Sequence, residues 1–171
     1  MAAEVQIHEM SALTTGTDKT SGTVRFKAAD NATVDTSNPL VVPSEGTTYS
    51  YTKQLRAYME AAPASSVSNL QWYSDGANGF GTGITVNVIN RGTTFATQIA
   101  TVPPYSASMA TLFNYTSGTP LDGDATDAGP FTPSDDDSYI GDLILLQMAI
   151  STNATNGIKS AESLTISYDE V

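Results

Sequence analysis

Few residues in this chain are suited to acid–base or covalent chemistry. There is one histidine, His8, and no cysteine. Histidine is the commonest general base, and a Ser-His-Asp triad would have to use this one. No Gly-x-Ser-x-Gly elbow supplies it with a nucleophile. His8 therefore reads as a surface or edge-strand residue. The lack of cysteine excludes disulfides, thiolate nucleophiles and cysteine-based zinc sites. Eighteen carboxylates remain. Two of them at the right separation could hydrolyse a glycoside, but separation in space does not follow from spacing along the chain. No catalytic residue is assigned, and the expected class is not an enzyme.

Metal chemistry has one candidate. Asp122, Asp124 and Asp127 place oxygen ligands along a short acidic stretch, as a hard Ca²⁺ ion prefers. The stretch departs from the EF-hand loop, since its sixth position is Asp127 rather than glycine and its twelfth is Pro133 rather than glutamate. The plain reading is a solvated loop that uses aspartate for turns, with no cofactor expected. The glycine-rich run from Asp75 to Gly83 lacks the lysine and the following helix of a phosphate cradle. Trp72, Tyr73, Tyr49 and Tyr51 could present stacking faces to sugars. A tryptophan on a sandwich strand more commonly fills the core.

The elements that would position these residues are short and β-like. Residues 23–28 alternate, with Val24 and Phe26 on one side and Arg25 and Lys27 on the other. Residues 38–43 are extended between prolines, at a sheet edge. Residues 48–59 fit a strand or a helix; the β-favouring Tyr49 to Thr52 tip the reading to strand. Residues 67–73 read as a strand with Leu70 and Trp72 inward. Residues 83–90 alternate with Ile84, Val86 and Val88 together, and 93–102 follow as a further extended run. Residues 106–115 suit a short helix or a strand. Residues 121–142 form a long Asp/Gly/Pro loop. Residues 143–151 are apolar on both faces, as in a central strand, and 163–169 close the pattern. The expected fold is all-β, an antiparallel sandwich of Ig-like or jelly-roll-like type with at most one short helix. Its expected organisation is an extended N-terminal arm over residues 1–21 and one sandwich domain over 22–171.

The bulk numbers set the partners. The 171 residues carry 7 Lys and Arg against 18 Asp and Glu, a formal net charge of -11. Nucleic-acid binding needs a basic stripe, and an anionic membrane surface would repel this chain. Neither is expected as a partner. The first residues lack the basic and apolar regions of a secretory signal, so synthesis in the cytosol is expected. Yet the abundance of Thr, Ser, Asn, Gly and Tyr suits an exterior surface.

Three stretches carry a resemblance. Ser50-Tyr51-Thr52-Lys53-Gln54-Leu55-Arg56-Ala57-Tyr58 runs on to Ala62-Pro63. Ser68-Asn69-Leu70-Gln71-Trp72-Tyr73-Ser74-Asp75-Gly76 follows, and the chain closes on Ser163-Leu164-Thr165-Ile166-Ser167-Tyr168-Asp169-Glu170. Together they resemble a group of tailed-bacteriophage virion proteins, β-sandwich modules described as structural or head proteins. The similar portion spans roughly residues 46–89 and the C-terminal strand pair. The resemblance implies a virion structural role without catalytic residues. A decoration (cement) protein on the capsid exterior is expected, made in the bacterial cytoplasm. It would bind the major capsid protein as a homotrimer on local three-fold axes. A tail or neck component, or a carbohydrate-binding sandwich, is the alternative. Within the arm, Val5, Ile7, Met10 and Leu13 are the expected capsid contacts, being apolar with little nearby to fold against.

Overall fold

Alternating and doubly apolar runs become ten strands in a computed structural model of the chain, which describes residues 2–31 and 33–171. These are β1 (Glu4–Ala12), β2 (Thr15–Asp18), β3 (Thr47–Tyr49), β4 (Lys53–Ala61) and β5 (Val67–Tyr73). They continue with β6 (Ile84–Asn90), β7 (Ala110–Thr111), β8 (Leu121–Asp122), β9 (Ser138–Ser151) and β10 (Thr165–Glu170). One sheet has the order β2-β1-β4-β9-β6-β7, with β3 also paired to β9; the other is β10-β5-β8. Every pairing is antiparallel, and the two sheets pack as an all-β sandwich. Among the described residues helix is limited to three single 3₁₀ turns, Ser106–Ser108, Leu112–Asn114 and Pro133–Asp135.

The core follows from the side-chain period of two. On β9, Ile144, Leu146, Met148 and Ile150 join Ile84, Val86 and Val88 of β6 against Trp72 of β5. A second cluster joins Ala57 and Met59 of β4 to Val67 and Leu70 of β5, Phe131 and Ile140. Val67 and Leu70 both point inward although three positions apart. Asn69 between them has a φ of 54°, and the register with β10 slips there, as a bulge requires.

The far face of the large sheet is covered too, which is why β9 is apolar on both sides. Its cover is residues 93–102, expected as an extended run and found outside any strand. Side chains take the place of a ladder. Gln54 Nε2 donates to Ala96 O at 2.6 Å while its Oε1 accepts from Ala96 N at 2.9 Å. Gln147 Nε2 donates to Ser50 O, Ile99 O and Thr101 O. With these backbone groups satisfied by glutamines, no strand is needed to bury them. Residues 23–28 and 38–43 are likewise irregular, although Val24, Phe26, Leu40 and Val42 pack on the core. Residues 48–59 are strand on both sides of a break at 50–52.

The N-terminal arm is the main correction. Residues 4–12 are not an extended arm but an interior strand of the large sheet. β1 lies between β2 and β4, with Glu9 opposite Leu55 and Ile7 opposite Ala57. Met10 is 1% exposed, and Val5 and Ile7 pack on the two core clusters. Val5 and Ile7 share one face of this strand, while Met10 is buried on the other with His8 and Tyr139. The strand's partner β4 is more than forty residues away in sequence. Of the four expected contacts, Leu13 at the hairpin tip is the one classed as exposed, at 40%.

Candidate functional site

The sequence candidates for chemistry do not converge. His8 lies in β1 and stacks on Tyr58 of β4 at 4.5 Å between ring centroids. Tyr139 of β9 meets it edge-on, with its hydroxyl 3.2 Å from Nδ1, and Gln6 Oε1 is 3.0 Å from Nε2. Burial holds the imidazole below its ordinary value, against the opposing pull of Asp18 and Glu60. Both ring nitrogens are thus engaged, and no serine or threonine hydroxyl stands among their hydrogen-bond partners. Gly16 of β2 crosses this cluster: a Cβ there would lie 2.9 Å from the Tyr139 hydroxyl and 2.7 Å from Met10 Sδ.

The aspartate-rich stretch is organised by a residue outside the candidate set, Asp142. It is 1% exposed. Its two carboxylate oxygens accept from Thr126 N at 2.9 Å and Asp127 N at 2.8 Å, and Asn90 Nδ2 also donates to it. It stands where β9 bulges away from β4. There Asp142 N donates to Gly123 O, and Gly141 takes a φ of 64°. Asp127 is turned to Arg56, whose guanidinium donates to it at 2.7 Å and to Gly141 O at 2.8 Å. Asp122 Oδ1 accepts from Asp124 N. Burial, then the hydrogen bond to Asp122, push the Asp124 carboxyl above the usual carboxylate range. Among the described residues no three of His, Asp and Glu are grouped as a metal ion requires.

Trp72 is 1% exposed, in the core beneath Gly123, so it offers no face to a sugar. A buried ion pair was the feature hardest to foresee. Lys53 Nζ donates to Glu9 Oε1 at 2.8 Å, with the side chains 1% and 4% exposed, and also to Asn31 O. Lys19 stands 3.8 Å from the other Glu9 oxygen. Lys53 shares the inward phase of Leu55, Ala57 and Met59, which was the available signal. Its partner, 44 positions earlier, gave none.

One large cavity opens beside the core. It measures about 810 Å³ and lies where the three-stranded sheet does not cover the seven-stranded one. Its floor is core: Leu55, Ile84, Val86, Leu146, Met148 and Ile150. Its walls come from irregular segments between residues 19 and 42 and between 155 and 164. Its volume falls within the range of ligand pockets, and its floor is apolar.

Charge is sorted between inside and outside. Lys27, Lys53 and Arg56 are buried; Lys19, Arg91 and Lys159 are half-buried; Arg25 is exposed. Eleven carboxylates are exposed. The solvent surface is therefore more acidic than the composition alone indicates. No protein-family model, curated protein or solved structure matches the chain.

Proposed function

We propose that this chain is a structural subunit of a bacteriophage virion, of the decoration type. It docks on the outside of the head and bridges neighbouring shell subunits, as a trimer on local three-fold axes. The observation that supports this best is the sorting of charge. Eleven exposed carboxylates face solvent against one exposed cation, on an all-β body. Such a coat keeps free copies apart and off nucleic acid until a matching surface is met. The buried cations hold the fold together and are withdrawn from chemistry. The phage-like stretches at residues 50–58, 68–76 and 163–170 fall largely on β4, β5 and β10, the strands around the second core cluster.

The test is to locate the chain in the particle that carries it, by cryo-electron microscopy with a labelled antibody. Density on the head exterior at symmetry-related positions is the expected result. Density at the tail or neck moves the role to that part, and absence from purified particles refutes a virion role.

A further inference from the structure

Residues 23–26 have the alternation of a strand, with Val24 and Phe26 packed inward, yet they make no backbone–backbone hydrogen bond among the described residues. Residues 155–163 line the same cavity and, among the described residues, make none either. At residues 23–26 a strand-patterned sequence lines an apolar cleft without a ladder partner among the described residues, and backbone groups left unpaired beside an apolar groove can accept an added strand.

The charges at this cleft differ from those of the rest of the molecule. Lys19, Arg25, Lys27 and Lys159 line it against Asp35 and Glu162. The remainder of the chain carries three cations and sixteen carboxylates. Lys27 is paired with Asp35 at 2.9 Å, Lys19 lies 3.8 Å from Glu9, and the Glu162 carboxylate lies against Gly79. Arg25 and Lys159 have no ion pair within 4.0 Å among the described residues; Lys159 Nζ donates to Thr155 Oγ1. Apolar floor, backbone without a ladder and two cations outside ion-pair distance of any described carboxylate coincide.

We propose that the cleft binds an extended segment of a partner polypeptide in which acidic and apolar residues alternate. Its backbone pairs with residues 23–26. Its apolar side chains enter the cleft over Val86, Leu146 and Met148, and its carboxylates meet Arg25 and Lys159. This deepens the decoration reading by giving the chemistry of the shell segment that docks, and it rests on that reading only for the identity of the partner.

The test uses the full chain and short capped peptides, by calorimetry. A peptide alternating aspartate and valine binds saturably at one per chain. A lysine–valine peptide of equal length does not. N-methylation of the backbone nitrogens along one edge abolishes binding, because the added strand can no longer donate to the ladder. Arg25→Glu with Lys159→Glu, both outside the core, weakens the aspartate peptide about tenfold or more. Equal binding of both peptides, no saturable binding, or unchanged affinity after N-methylation overturns the proposal. So does a wild-type dimer in sedimentation that the charge-reversed variant abolishes, since a second copy would then fill the cleft. Failure here leaves the location of the chain in the particle untouched, and the converse holds.

Discussion

Removing Lys53 tests whether β1 belongs to the body of the fold. In Lys53→Met the aliphatic volume is roughly kept, and the charge and three donors are lost. Glu9, 4% exposed, keeps Lys19 at 3.8 Å but loses its 2.8 Å bond, and Asn31 O loses a donor. Stranding one member of a buried pair costs about 3–5 kcal/mol; the residual attraction of Lys19 places this case near the lower end. For a chain of this length that is a fall in Tm of roughly 6–12 °C. Glu9→Leu combined with Lys53→Met restores stability to within about 1 kcal/mol of wild type, because apolar replacement of a buried pair is close to neutral. Urea unfolding followed by the fluorescence of Trp72 measures all three chains. A loss under about 1 kcal/mol in the single variant would refute the buried pair. A double variant as weak as the single would refute the assignment of the loss to stranded charge.

Four further outcomes are expected. Deleting residues 1–13 removes β1 from between β2 and β4, so the chain loses its cooperative unfolding transition; a deleted chain that melts like wild type would return this segment to the role of a free arm. Asp142→Asn weakens the acceptors of two backbone N–H groups and costs about 1–3 kcal/mol, with faster amide exchange at Thr126 and Asp127 as its local signature. Because burial lowers the His8 pKa, the unfolded chain takes up this proton first, so its contribution to stability is full above about 6.5 and is lost as pH falls. His8→Phe keeps the stacking on Tyr58 and flattens the stability curve between about pH 7 and 5, which a pH series of thermal melts reads directly. Gly141→Ala costs at least about 2 kcal/mol, since φ is 64° and the new methyl would sit 2.5 Å from Leu70 Cδ1 and 2.6 Å from Gly123 O; a neutral result by urea unfolding would show that the bulge relaxes freely.

Local pattern was enough to read β5, β6 and residues 143–151 of β9, because there burial imposes a period of two or a doubly apolar run, whereas residues 138–142, expected as loop, are the start of the same strand. The same short alternating runs carried the all-β class, and composition carried the exclusion of thiol chemistry and the acidic character. Pattern misled where a segment's partner is distant or absent. Residues 93–102 read as an extended run, but Gln54 and Gln147 satisfy their backbone through side chains. Residues 23–26 have the alternation and lack the neighbour.

The opening candidates divide the same way. That no Gly-x-Ser-x-Gly elbow accompanies His8 was visible along the chain; that both its ring nitrogens are held by Gln6 and Tyr139 required three strands to be brought together. That the acidic stretch departs from a Ca²⁺ loop was visible at Asp127 and Pro133. That Asp142 and Arg56 tie it down was not, because those contacts span 15 to 71 positions. Alternation is a local property and survives in one dimension. Charge pairing, cleft formation and the choice of strand neighbour depend on closing long loops, and only the folded chain decides which loops close.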